Sequence, residues 1–270
     1  MNITDKQYNE LVVYIKSNIG IDLGANKKIM VISRLRSAFT KYNINTYNEL
    51  YKKLIIEKDK VIENVLVNAI TTNYTYFMRE VDHFKYFQKN VMPQLNRDKR
   101  NKDLRIWCAA CSSGEEAYTL AMIIDEVLGE DKSSWDRKML ATDISTDMLE
   151  ICDKGSYPLA SLSVLEPSWI KKYFRKISPD ACVVSPEIKN QILFRKFNLM
   201  TEKYPFKKKF DVIFCRNVMI YFDLPTRMKL IDKFYELLED GGYLFIGHSE
   251  SIEKSSSKFN YVVPSVYRKE

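Results

Sequence analysis

The chain has 270 residues, 46% of them hydrophobic, enough to bury a full α/β core in one large or two small domains. It contains no apolar run of about eighteen residues, and Met1-Asn2-Ile3-Thr4-Asp5 lacks the charged and apolar regions of a secretion signal, so a soluble cytoplasmic protein is expected, with no direct membrane insertion. Five cysteines, an odd number scattered through apolar segments, fit reduced buried thiols better than a disulfide framework, and the net charge of +7 calls for an acidic partner without choosing among nucleic acid, membrane and protein.

Up to about residue 90 the pattern is helical. Tyr8, Leu11, Val12 and Ile15 recur at helix spacing, as do Ile29, Ile32 and Leu35, and then Val61, Val65, Leu66 and Ala69. Pro93 and the charged run from Asn96 to Asp103 read as a solvated linker over residues 91–103. From 104 to 270 strands and helices alternate. Strands are expected at Leu104–Ala110, Lys138–Thr142, Ile192–Phe197, Phe210–Cys215 and, after Gly241-Gly242, Tyr243–Ile246; helices at Glu115–Leu128, after Ser145 or Thr146, and at Met228–Leu238. This βα rhythm predicts a parallel sheet. Gly155 to Asn190, with Pro158, Pro167, Pro179 and Pro186, interrupts it and reads as an insertion of a small helix and short strands.

The stretch Ile106 to Tyr118 runs from an apolar strand through small residues into an amphipathic helix, the junction at which α/β proteins hold nucleotide-like ligands. Only Gly114 is glycine in the loop, and Glu115 and Glu116 occupy the first helical turn, where a phosphate would be repelled. A nucleoside-like ligand with ribose and without phosphate is therefore expected, and positive charge on it would be compatible. Ser113-x-x-Glu116 is also a capping box by spacing, and a glutamate there suits a cationic ligand as well. Asp143, ending the second strand, either accepts ribose hydroxyls or only closes the strand ahead of a helix cap. Cys108-x-x-Cys111 has no second pair and no histidine at finger-like spacing, which argues for small buried residues rather than a redox pair or zinc site. Two further runs are unusual: Thr71 to Glu80, where polar donors alternate with aromatics, and Phe214 to Asp223, where a strand carries Arg216 and Asn217 into its carboxyl edge. Gly247-His248-Ser249-Glu250 follows the last strand and reads either as site or as surface turn.

Together these segments closely resemble the CheR family of chemoreceptor glutamate O-methyltransferases. The resemblance rests on Thr71-Thr72-Asn73 with Arg79-Glu80, on Trp107 to Glu116, on Ala141 to Ile144, on Cys215 to Phe222 and on Gly247 to Glu250, in the family's order. Departures are Ala117, where the family usually has proline, and Met78, where a second phenylalanine is common. The resemblance implies an all-helical N-terminal domain (1–90) joined to a Rossmann-like, S-adenosylmethionine-dependent methyltransferase domain (104–270) with a small β-subdomain inserted at about 155–190. It implies cofactor contacts from Asn73, Thr75, Arg79, Glu116, Asp143, Asn198, Leu199, Asn217 and Val218, with Arg79 and Tyr221 bordering the reacting atoms and S-adenosylhomocysteine as product.

Such a reaction needs neither metal nor general base, because a glutamate with a reference pKa of about 4.3 is already ionised and the sulfonium already activates its methyl group. Positioning then carries the catalysis, worth up to about 7–11 kcal/mol. Lys27, Lys28, Arg34 and Arg36 can share helix faces, either as a solvated basic helix or, as the resemblance implies, as a surface for the acidic cytoplasmic domain of a methyl-accepting chemoreceptor; a monomer is expected, and no nucleic acid. Two rivals are an inactive S-adenosylmethionine sensor and a nucleic-acid methyltransferase, the second weakened by the lack of an aromatic-rich target-base motif.

Overall fold

The computed structural model of the chain describes residues 3–24, 27–253 and 257–270; Met1 and Asn2, read above with Ile3-Thr4-Asp5, lie outside them. Thr4 opens the first helix, α1 (Asp5–Ile19), with a capping box to Gln7, and Gly20 closes it at a left-handed φ of 84°. Then follow α2 (Lys28–Thr40), α3 (Tyr47–Tyr51), which runs into a π turn, and α4 (Lys60–Ile70). Among the described residues this part contains no strand. The expected helix faces need correction. α2 buries Val31, Leu35 and Phe39 while Ile29 is 85% exposed, and α4 buries Ile62, Leu66, Val67 and Ile70 while Val61 points outward. Both segments are apolar on more than one side, so periodicity identifies the helix but packing selects its face.

The expected linker is also corrected. Val81–Tyr86 (α5) continues through a π turn, Phe87–Val91, into α6 (Met92–Asp98), and Pro93 is accommodated at the start of α6. Phe84, Phe87, Val91, Met92 and Leu95 pack into the same core as the first strand, so this helix belongs with the sheet, and the charged residues merely finish its exposed last turn. Beyond it, Lys99 bonds the Asp211 carboxylate at 2.6–2.7 Å, and the same carboxylate accepts the Arg105 N–H at 2.8 Å.

The sheet contains β1 (Ile106–Ala109), β2 (Met139–Asp143), β6 (Ile192–Lys196), β7 (Phe210–Cys215), β8 (Leu238–Ile246), β9 (Asn260–Val263) and β10 (Val266–Arg268), in the order β6-β2-β1-β7-β8-β10-β9. The first five are parallel; β10 runs antiparallel to β8, and β9 to β10. The last two strands are additions to the sequence reading, and β8 starts earlier than expected, the Gly241-Gly242 pair lying within it. α7 (Glu115–Leu128), α8 (Thr146–Lys154) and α11 (Leu224–Leu237) supply the crossovers. The insertion holds a separate three-stranded sheet of β3 (Ser156–Pro158), β5 (Ala181–Val184) and β4 (Phe174–Lys176), with α9 (Pro167–Tyr173), and is followed by α10 (Pro186–Lys189). It is tied to α7 through buried Asp125, which meets Lys132, Arg137 and Lys172 at 3.0, 3.2 and 3.1 Å and accepts the Tyr173 hydroxyl at 3.0 Å.

Strand alternation splits the core in two. Ile106, Cys108, Val212, Phe214 and Phe245 face α5, α6, α7 and the insertion, whereas Trp107, Ala109, Ile213, Cys215, Leu244 and Ile246 share a cluster with α1, α2, α4 and α11. Trp107 centres the second cluster, fully buried among Phe197, Tyr204, Phe206, Phe210 and Phe234, its indole N–H donating to Thr142 Oγ1 at 2.9 Å. Trp107→Ala is expected to lower unfolding free energy by about 3–5 kcal/mol, measured by urea denaturation, because the surrounding rings cannot collapse into the space vacated.

Candidate active site

The chain leaves β1 toward β2 and β6 on one side, then returns to β7 and β8 on the other, so the strand order reverses between β1 and β7. An open parallel sheet forms its binding crevice at the carboxyl edge of such a switch point. The crevice here encloses about 950 Å³, open mouth included. All ten residues singled out from the sequence line it. Glu116 comes from α7, Asp143 from β2, Asn198 and Leu199 from the segment after β6, and Asn217, Val218 and Tyr221 from that after β7. Asn73, Thr75 and Arg79 come from the 71–80 segment, which crosses the mouth between α4 and α5.

The loop after β1 is held by the neighbouring strand. The N–H groups of Ala110 and Cys111 both donate to the Thr142 carbonyl at 2.8 Å, and Ser112 N–H donates to Asp143 Oδ2 at 2.8 Å. Ser112 Oγ reaches the Asn73 carbonyl at 2.9 Å, joining this loop to the mouth segment. Asp143 Oδ1 accepts Ser145 N–H at 2.9 Å, while Ser145 Oγ caps α8. Asp143 thus organises the strand end and also faces the cleft. Burial raises its pKa, opposed by those backbone donors. Each carboxylate oxygen retains a second lone pair for a hydroxyl.

The expected capping box at Ser113 does not form. Gly114, at φ 98°, is the residue before α7, and Ser113 Oγ donates to Glu115 Oε2 at 2.7 Å instead. Glu116 is drawn to a buried guanidinium: Arg216 Nη1 donates to its Oε2 at 2.6 Å, and Cys108 Sγ donates to its Oε1 at 3.1 Å. Cys108 and Cys111 are buried free thiols, pushed up in pKa by burial for Cys108 and by the neighbouring Cys152 and burial for Cys111.

Three residues that hold the site together lay inside flagged motifs without a role. Arg216, its side chain 1% exposed, also donates through Nη2 to Glu80 Oε2 at 3.1 Å and to the Arg79 carbonyl. Glu80 Oε1 accepts Asn217 Nδ2 at 3.0 Å. Burial would raise the Glu80 pKa, but Asn217 and Arg216 outweigh it and the net shift is downward. Glu250 is buried and accepts three backbone donors, Asn217 and Gly247 through Oε2 and Ile220 through Oε1, so it shapes the turn that carries Asn217, Val218 and Tyr221. Burial raises the Glu250 pKa against those donors. The available signal was charge: an arginine and two glutamates embedded in apolar surroundings require partners.

Arg79 projects from the mouth segment, Nη1 donating to the Tyr74 carbonyl at 2.7 Å and its guanidinium 5.8 Å from the centre of the Tyr74 ring. Tyr221 is held from the helical domain, its carbonyl accepting Asp22 N–H at 2.8 Å. Asn198 donates to the Asn18 carbonyl at 2.6 Å and accepts Met200 N–H at 2.9 Å, so its side chain joins the two halves of the molecule as well as lining the cleft. Of the basic residues on α2 and before it, Lys28 pairs with Asp5, and Arg34 reaches the Thr71 carbonyl at 3.5 Å beside the cleft.

A helical domain packed on a Rossmann-like sheet, with a crevice at its switch point, defines the class as a doubly wound α/β protein built to hold a small ligand. The sequence matches "CheR methyltransferase, SAM binding domain" over residues 73–267 and "CheR methyltransferase, all-alpha domain" over residues 6–71. The chain belongs to the CheR methyltransferase family. It is 39% identical to the chemotaxis protein methyltransferase of Borreliella burgdorferi, across 100% of this chain and 96% of that one. It is 35% identical to a probable chemotaxis protein methyltransferase of Rhizobium etli (94% and 96%), and 32% to the chemotaxis protein methyltransferase of Salmonella typhimurium (98% and 90%). Among solved structures, the glycopeptide N-methyltransferase MtfA with S-adenosylmethionine overlaps 59% of this chain and 53% of its own, at 12% identity and a TM-score of 0.32, too loose to carry an argument.

Glu250→Ala would strand the N–H groups of Gly247, Asn217 and Ile220. It is expected to lower stability by at least about 2 kcal/mol and to weaken S-adenosylmethionine binding, both visible by calorimetry, because an unsatisfied buried donor costs about 1–3 kcal/mol. Unaltered cofactor affinity would mean that Glu250 does not shape the cleft.

Proposed function

We propose that this chain transfers the methyl group of S-adenosylmethionine to glutamate side chains in the cytoplasmic domain of chemoreceptors, yielding γ-glutamyl methyl esters and S-adenosylhomocysteine. The observation that carries the reading is the convergence of Asn73, Thr75, Arg79, Glu116, Asp143, Asn198, Leu199, Asn217, Val218 and Tyr221 on one cleft, in a chain whose relatives bear the name chemotaxis protein methyltransferase over nearly their full length.

The chemistry follows from charge. The acceptor carboxylate is ionised at neutral pH, and the sulfonium carries its own leaving group, so the work left to these residues is alignment. Asp143 accepts the ribose hydroxyls with its remaining lone pairs. Glu116 places negative charge against the cationic cofactor while Arg216 keeps it oriented. Arg79 and the Tyr221 hydroxyl orient the incoming carboxylate at the mouth. The Arg79 guanidinium is already engaged by the Tyr74 carbonyl, which moderates its hold on the nucleophile. Too tight an ion pair would stabilise the ground state that attack must neutralise. The exposed rings of Tyr74 and Tyr76 and the Arg34 side chain beside the cleft suit an acidic helical acceptor.

The test is incubation with methyl-labelled S-adenosylmethionine and receptor-containing membranes, followed by mild alkali. Volatile methanol is expected; alkali-stable label would exclude a carboxylate acceptor. Arg79→Ala is expected to lower kcat by about 10²-fold through misalignment with little change in cofactor affinity. Asp143→Ala is expected to weaken S-adenosylmethionine binding about tenfold or more, read by calorimetry. Native behaviour of both variants would overturn the site assignment.

A further inference from the structure

The chain has two histidines, and they meet. His83 on α5 and His248 after β8 lie with ring centroids 4.5 Å apart at 77°, and Glu80, three residues before His83, brings Oε2 to 3.4 Å from His83 Nδ1. One donor atom from each of the three residues lies within 4.8 Å of the others. His83 is 2% exposed, yet neither ring nitrogen makes a hydrogen bond of good geometry, the Pro264 carbonyl being its nearest backbone acceptor. Buried polar atoms are rarely left so, and two at one side chain call for an explanation.

We propose that Glu80, His83 and His248 form a binding site for one divalent transition ion of the zinc class, coupled to the cofactor cleft through Glu80. Bonds of about 2.0–2.1 Å at tetrahedral angles set neighbouring donors about 3.4 Å apart. Glu80 and His83 already have that separation, and exposed His248 closes the remainder by side-chain rotation. A backbone carbonyl facing the ring, here that of Pro264, is the usual outer partner of a ligating imidazole. Arg216 opposes a cation here, but it is shared by two carboxylates, Glu80 and Glu116, so the cluster keeps net negative charge. The cysteines of the sheet compete poorly, since burial raises the Cys108 and Cys215 thiols well above their usual range. Because Glu80 Oε2 also accepts from Arg216 and from the His248 N–H at 3.2 Å, and Oε1 from the cleft residue Asn217, an ion on Glu80 competes with the contacts that shape the cofactor site.

The experiment uses the full chain after chelator treatment, titrated with ZnCl2 by calorimetry and with CoCl2 by absorption. One ion per chain is expected, with tetrahedral cobalt bands free of thiolate charge transfer. His248→Ala, at an exposed position, should keep its thermal melt and lose at least about tenfold in ion affinity. S-adenosylmethionine should bind more weakly with zinc in the native chain and not in His248→Ala. Absence of saturable binding, a thiolate band, or unchanged ion affinity in His248→Ala would overturn the site. Equal cofactor affinity with and without saturating zinc would overturn the coupling.

Discussion

The Arg216 guanidinium is the contact on which the rest of the site depends. It stands at the end of β7, almost wholly buried, and its donors reach Glu116 on α7, Glu80 at the start of α5 and the Arg79 carbonyl between them. A buried cation is costly unless paired, and removing one partner of such a group is far more damaging than its net worth suggests. The consequence is specificity of position. The sheet edge, the first helix after β1 and the mouth segment are held in one arrangement, because any other leaves charge uncompensated. Glu80 extends the chain of contacts to Asn217, and Glu250 fixes the backbone on which Asn217 sits.

That arrangement is maintained against local strain. Of the nine described non-glycine residues with positive φ, five surround the cleft: Met78 and Glu80 on either side of Arg79, Ala110 and Ser112 in the loop after β1, and Asn217 after β7. Left-handed backbone at such residues costs about 1–3 kcal/mol each and persists only where neighbours over-determine it. Here the neighbours are visible: Asp143 and the Thr142 carbonyl for the first loop, Arg216 for the turn around Arg79, Glu250 for Asn217. Gly247 belongs to the same device, since a Cβ there would come within 2.8 Å of the Asn217 nitrogen.

The helical domain is a wall of the site rather than an appendage. Ile19 and Ile21 line the cleft, Asp22 N–H holds the Tyr221 carbonyl, Lys16 pairs with Asp223 at 2.7 Å just beyond that turn, and Asn198 reaches back to Asn18. The apolar cluster containing Trp107 continues into α1, α2 and α4. On the proposed function, a cleft closed on one side by the helical domain would bring donor and acceptor to one mouth.

Much of this was legible along the chain. The apolar runs and near-3.6 patterns from 104 to 246 located five parallel strands to within a few residues, because buried parallel strands and their crossover helices are dictated by short-range hydrophobic order. The small-residue loop before Glu115, the acid at 143 and the Arg216-Asn217 pair marked the carboxyl edge, since polar residues ending apolar strands have few other uses. What the sequence could not decide was partnership. Glu116 stood at capping-box spacing, yet Arg216, a hundred positions away, takes its carboxylate. Ile29 and Val61 fit a helical period and face outward because α2 and α4 carry alternative apolar faces. The charged stretch after Pro93 looked like linker, but the apolar residues of α5 and α6 draw that helix onto the sheet. Local pattern determines which elements form, as it reflects burial averaged over a turn or two. Which face is buried, which charge is paired and which histidines meet are settled only when segments distant in sequence compete for the same few ångströms.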